Sequence, residues 1–230
     1  MSENTKDTTE KGVENVEVAL TKAEQFIENN QKILTISAGI ILLIVAAFFG
    51  LKRFYFAPLE KEAQAQMFFA ERYFETDSFR LALNGDGNNL GFIQIIDDYG
   101  LTKSSDLASY YAGICYLKLG DFENAISFLK KFDGNDTYVS SVAKGAIGDA
   151  HSELGEKEEA ISYYLEAAEN NENQFISPIY LMKAAQLQES LNKFDEALEC
   201  YEQIQTKYPL SSEGRQIEKY IAKAKVLLNK

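Results

Sequence analysis

Residues able to do chemistry are sparse in this chain. The densest run of oxygen ligands is NGDGNN at residues 84–89. A calcium loop needs Gly at its sixth position and Glu at its twelfth. Counted from Asn84, those positions hold Asn89 and Ile95, so the run reads as a turn of residues that tolerate left-handed backbone. His151 is the one histidine, and no nucleophile or metal-ligand motif accompanies it. Two cysteines, Cys115 and Cys200, are too few for a disulfide framework. Acids cluster at helix starts, such as Glu158 and Glu159, where they complement the helix dipole. Read this way, the chain is not an enzyme and calls for no cofactor and no metal.

The elements around these residues repeat. LGDFENAISFL from Leu119, LGEKEEAISYY from Leu154 and LNKFDEALECY from Leu191 superimpose without gaps. Each has a turn residue second (Gly120, Gly155, Asn192) and a small residue seventh (Ala125, Ala160, Ala197). A bulky residue follows four positions on: Leu129, Tyr164 and Tyr201. Seven positions before each turn residue stands a second small residue, Gly113, Gly148 or Ala185. Two small residues per unit let paired helices approach closely, with the bulky residues filling the remaining space.

This pattern resembles the tetratricopeptide repeat, a helix–turn–helix of about 34 residues. Pro209 falls on that family's terminal proline, where the first two units have Thr137 and Glu172, and no Trp takes the early aromatic position. The expected repeats are 106–139, 141–174 and 178–210. A degenerate unit at 60–100 is expected before them, pairing MFFAERYF at 67–74 with LGFIQII around Gly91. A capping helix at 211–229 closes the domain, which spans 57–230. In that register His151 is a partly buried packing residue, and Cys115 and Cys200 lie too far apart to bridge. First helices line the concave groove of such arrays. The resemblance places Tyr110, Ile114, Leu117 and Lys118 there, with Asp149 and Ser152, then Met182, Gln186 and Glu189. Apolar and acidic residues side by side suit an extended peptide or an amphipathic helix. The positions of the family's carboxylate clamp hold Ile114, Gly145 and Asp149, which excludes that use. The competing reading is a groove covered by the protein's own segments.

The sequence carries a net charge of −12, yet residues 33–51 (ILTISAGIILLIVAAFFGL) carry none. Nineteen helical residues cover about 28 Å, close to the thickness of a bilayer core. The run is longer than a signal-peptide core and no A-x-A site follows, so it reads as an uncleaved anchor. Residues 1–12 read as a disordered tail, and 13–31 as a short amphipathic helix with Val13, Val16, Leu20, Ala23 and Ile27 in heptad spacing. Thr35, Gly39, Ala46 and Gly50 put small residues on one face of the anchor, a face suited to close packing against other membrane helices. Residues 54–230 hold seventeen Lys/Arg against twenty-eight acids, which argues against nucleic acid and anionic lipid surfaces. The expected architecture is all-α: one N-terminal transmembrane helix followed by a tetratricopeptide-repeat solenoid.

The order of parts, and above all EQFIENNQKILTISAGIILLIVAAFFGLKRFY, resembles the YfgM-like ancillary subunits of the SecYEG translocon. That resemblance implies a single-pass protein of the bacterial inner membrane, with a cytoplasmic N-terminus and a periplasmic repeat domain. It implies as partners the SecYEG translocon, an anchored periplasmic chaperone, and nascent or client polypeptides. Charge leans the other way. Lys22 and Lys32 flank the anchor on one side, and Lys52, Arg53 and Lys61 on the other. A positive-inside count therefore favours a cytoplasmic repeat domain, a scaffold for another membrane assembly.

Overall fold

The computed structural model describes residues 4–134, 136–170 and 172–229, and among them no strand occurs. The chain divides into two units, Met1–Ala57 and Pro58–Lys230.

The first unit is one helix, α1 (Asn4–Leu51), followed by a π-helical turn at Lys52–Phe56. Residues 4–12, expected as a tail, belong to α1, and no break separates 13–31 from 33–51. The physical reason is that no proline interrupts the segment, and a nucleated helix extends at little cost per residue. Residues 1–3 of the expected tail, and the side chains of Val13, Val16, Leu20 and Ala23, lie outside the described residues. The apolar run buries none of its large side chains: Leu42 and Leu43 are 69% and 71% exposed. By length and composition this helix can cross a membrane.

The second unit opens with α2 (Ala57–Glu75), α3 (Phe79–Asn84) and α4 (Phe92–Asp98). Three helix pairs follow: α5 (Lys103–Leu119) with α6 (Phe122–Leu129), α7 (Thr137–Glu153) with α8 (Lys157–Asn170), and α9 (Ser177–Ser190) with α10 (Phe194–Lys207). A 3₁₀ turn at Gly214–Gln216 leads into α11 (Ile217–Leu228).

Each pair turns at the residue that the alignment marks. Gly120, Gly155 and Asn192 have φ of 79°, 80° and 60°, the left-handed conformation that ends a helix cheaply only with Gly or Asn. The second helices then pack on the first through the small residues. Ala125, Ala160 and Ala197 are fully buried. A Cβ added to Gly113 would stand 2.5 Å from Leu129 Cγ, and one on Gly148 would stand 2.7 Å from the Tyr164 ring. The bulky residue of the pattern therefore fills the contact within its own pair.

Three core clusters run along the unit. The first joins Ala63, Met67 and Ala70 of α2 to Phe92, Ile95, Ala108 and Cys115. The second gathers Leu129 with Ala143, Ala146 and Ile147, and the third runs from Ala160 of α8 to Ala224 of α11. Both cysteines are free and buried as expected. Burial pushes the Cys115 thiol up to about 12 and the Cys200 thiol up to about 11.

The unit expected at 60–100 differs in detail. Gly91 is not a small residue inside a helix pair; it is the extended residue before α4, with φ −92° and ψ 171°. A Cβ there would run into the backbone of Leu83. Gly85 and Gly87, both at positive φ, form the expected turn, but an additional short helix, α3, stands between α2 and that turn. The run at 84–89 is this turn. Asp86 Oδ1 accepts from the backbone N–H of Asn88 (2.9 Å) and Asn89 (2.7 Å), and Oδ2 accepts from the Tyr73 hydroxyl at 2.7 Å. The Tyr73 bond and these backbone donors hold the Asp86 carboxyl well below the usual carboxylate range. Both carboxylate oxygens are thus engaged, by the turn's own backbone and by Tyr73 of α2.

Candidate functional site

The C-terminal ends of α5 and α7 and the middle of α9 line a cavity of about 560 Å3. Leu117 and Lys118 come from α5, Asp149 and Ser152 from α7, and Tyr164 and Lys183 from α8 and α9. Four of the residues assigned to the groove from sequence, Leu117, Lys118, Asp149 and Ser152, thus share one site.

Asp149 organises it. Its Oδ1 accepts from the Tyr164 hydroxyl at 2.6 Å and from Lys183 Nζ at 2.6 Å. Lys183 Nζ also stands 5.4 Å from the Tyr164 ring centroid and 5.7 Å from that of Tyr180, within cation–π range. The two rings stack at 6.1 Å, inclined by 14°. Tyr180 lies over Gly145, where any Cβ would collide with its ring. Burial first, and the neighbouring Asp149 carboxylate second, push the hydroxyls of Tyr164 and Tyr180 up. Both rings therefore stay neutral at pH 7 and form a wall whose charge comes from Lys183 and Asp149.

The other assigned residues separate from this site. Tyr110 and Ile114 lie farther up α5, packed on Leu129 and the alanines of α7, with the Tyr110 ring 5.6 Å from Phe132. Met182, expected in the groove, is instead buried at 9% exposure with Leu181 and Ala184 in the third cluster. The α9 face turns its neighbour Lys183 outward instead, because α9 is rotated to lay Tyr180 on Gly145. Gln186 is exposed. Glu189 is taken up by the protein's own last helix, for Lys223 Nζ donates to its Oε2 at 2.5 Å. The self-covered reading thus describes the α9–α11 end, while the α5–α7 end stays open.

Sequence reasoning missed Lys183 and Tyr180 beside Asp149, and placed Gly145 at a groove position without asking which side chain faces it. The signal was available in Gly145, a glycine facing the next repeat, which marks a place where a large side chain comes close. His151 is more buried than expected and packs as a ring, stacked 5.3 Å from Tyr163, with Nδ1 2.6 Å from Glu156 Oε2. It ties the end of α7 to the turn before α8. Thr35, Gly39, Ala46 and Gly50 are all on the surface of α1 or nearly so, and no atom lies within 4 Å of a Cβ placed on Gly39 or Gly50.

Family models described as tetratricopeptide repeat match residues 107–133, 143–174 and 180–211. These three segments are tetratricopeptide repeats. They coincide with the pairs α5/α6, α7/α8 and α9/α10, and α11 closes the array. No curated protein matches the chain. Tetratricopeptide repeats stack into scaffolds with extended concave surfaces for protein partners. The fold is typically one of binding rather than catalysis.

Proposed function

We propose that this chain is a non-enzymatic, membrane-anchored accessory subunit of the Sec translocon. In this reading α1 spans the bacterial inner membrane with its N-terminus in the cytoplasm. The repeat domain stands in the periplasm, where its groove holds a segment of a chaperone or of an emerging polypeptide. The observation that carries the proposal is an apolar helix with unburied faces standing upstream, in one chain, of three interaction repeats that begin at residue 107. Such a tether acts by raising the local concentration of a bound partner at the membrane rather than by chemistry. The resemblance of residues 24–55 to the YfgM-like family supplies the translocon as the partner.

The charge flanking the anchor favours a second reading, a cytoplasmic-facing scaffold. Protease added to spheroplasts carrying a C-terminal epitope separates the two. Loss of the epitope supports the periplasmic reading, and protection until the membrane is broken overturns it. Next, Gly39→Leu with Gly50→Leu is expected to weaken co-purification with SecYEG. Neither glycine meets a neighbour within its own chain, so a loss reports a partner helix, and unchanged recovery removes the small-residue face from the proposal.

A further inference from the structure

Across residues 33–59 only two side chains carry charge, and they are neighbours: Lys52 and Arg53. They stand where the nineteen-residue apolar run stops. The five residues Lys52–Phe56 form a π-helical turn, closed by the Ala57 N–H donating to the Lys52 carbonyl. A bond to the fifth residue back encloses one complete turn. Two cations and three aromatic rings therefore encircle the helix at one depth. All five are exposed, and Phe54, at 83%, is the most exposed large apolar side chain among the described residues. The Tyr55 and Phe56 rings meet edge to face, their centroids 5.3 Å apart.

The charge at this turn has one sign. Upstream the next charged residue is Lys32, and downstream it is Glu60. The Glu60 carboxylate is already taken by the backbone N–H groups of Lys103 and Ser104 and by the Ser104 hydroxyl. Among the described residues no carboxylate pairs with Lys52 or Arg53. The acidity that argues against lipid surfaces belongs to the repeat domain, outside this pair. The other flank of the apolar run differs: residues 28–32 (ENNQK) hold one carboxylate, three amides, one lysine and no ring. The headgroup layer adds about 5–8 Å to each side of the hydrocarbon core, and one helical turn beyond Leu51 rises about 5 Å. A run that fills the core thus sets the turn at the level of the lipid phosphates. Aromatic rings favour that level, and a guanidinium matches a phosphate in a bidentate pair. Two unpaired cations there favour a lipid of net negative charge over a zwitterionic one, whose own ammonium offsets its phosphate.

We infer that the turn at Lys52–Phe56 is a binding site for anionic phospholipid. Lys52 and Arg53 hold the phosphate groups, while Phe54, Tyr55 and Phe56 seat the helix at the border between headgroups and acyl chains. The inference rests on α1 spanning a bilayer, and it holds on whichever side of the membrane the repeats stand.

The test uses the full chain in nanodiscs. Because the chain has no Trp, Phe54→Trp reports on the turn, and Leu42→Trp reports on the middle of the apolar run. Lipids brominated near the headgroup should quench the Phe54→Trp chain more than lipids brominated near the chain ends. The reverse order is expected for Leu42→Trp, and no quenching there by either lipid would overturn the spanning reading and the inference with it. At equal mole fraction, brominated phosphatidylglycerol is expected to associate with the Phe54→Trp chain at least about five-fold more strongly than brominated phosphatidylcholine. Adding Lys52→Gln with Arg53→Gln should abolish that preference, whereas Lys52→Arg with Arg53→Lys should keep it. An unchanged depth of Leu42→Trp in the neutralised chain shows that lipid binding, not insertion, was lost. Equal quenching by the two lipids, or a preference that survives neutralisation, overturns the inference even where Leu42→Trp lies deep. Inorganic phosphate added at constant ionic strength should leave the preference in place. Its loss would assign the two cations to free phosphate and overturn the lipid site.

Discussion

At Gly148 two opposing effects can be weighed. Alanine in a helix interior is favoured over glycine by about 1 kcal/mol. Here its Cβ would stand 2.7 Å from two atoms of the Tyr164 ring and 3.2 Å from the Ala160 carbonyl. The ring cannot swing away cheaply, because its hydroxyl is held by Asp149 and the side chain is 4% exposed. Overpacking costs about 1–3 kcal/mol, and with the ring held the upper part of that range applies, so Gly148→Ala is expected to destabilise the fold by a net of up to about 2 kcal/mol. Urea unfolding followed by circular dichroism measures it, and a stabilised variant would refute this packing argument. Gly155 raises the other issue. Its φ of +80° costs a residue with a Cβ about 1–2 kcal/mol, although no atom stands near a Cβ placed there. Gly155→Ala should therefore lower the urea midpoint, and Gly155→Asn should lower it less.

At the scale of elements, α11 closes the array. It buries Ile217, Ile221 and Ala224 against the last pair and pairs Lys223 with Glu189 and Lys225 with Glu202. Placing a charge at Ile221, 8% exposed, would bury it unpaired, so Ile221→Asp is expected to cost at least about 3 kcal/mol. Lys223→Ala should cost less, about 1 kcal/mol, since the lysine is itself largely exposed. The order of the two effects in the urea midpoint checks whether apolar closure or the ion pair holds the cap. At the other end of the unit, Glu60 of α2 accepts from the backbone N–H groups of Lys103 (2.7 Å) and Ser104 (3.2 Å). One carboxylate thereby serves the start of α5, so Glu60→Gln should loosen that junction and speed amide exchange there.

For the molecule as a whole, the buried ionisable groups set a limit in alkali. Cys200 and Cys115 rise to about 11 and about 12, and burial also raises Tyr164, Tyr180 and Tyr201. A raised folded value means that the folded state holds its proton longer than the unfolded one. The associated stability is present below the ordinary values near 9 for Cys and 10 for Tyr. It is lost as pH climbs from there through the folded values, at about 1.4 kcal/mol per pH unit for each group inside its window. The urea midpoint should hold steady between pH 7 and 8.5 and fall steeply from pH 9 upward. A flat profile to pH 11 would show that these groups are not sealed from water. The chain has no Trp, so circular dichroism is the fitting probe.

Much of this protein is legible in its residues because the information is local. The left-handed turns at Gly120, Gly155 and Asn192 depend on backbone freedom that the side chain alone decides. The alternation of small and bulky residues is likewise a property of each pair, as is the capacity of residues 33–51 to cross a membrane. What failed were readings that depend on how one pair rotates against the next. A shift of one position along α9 sends Met182 into the core and brings Lys183 to Asp149, since the large Tyr180 ring must settle over Gly145. Glu189 faces the groove in register but is claimed by Lys223 from α11, an element whose docking no local pattern reports. Helix and turn are therefore written in the order of the residues, whereas the open length of the groove, and the charges that line it, are settled only when the pairs stack.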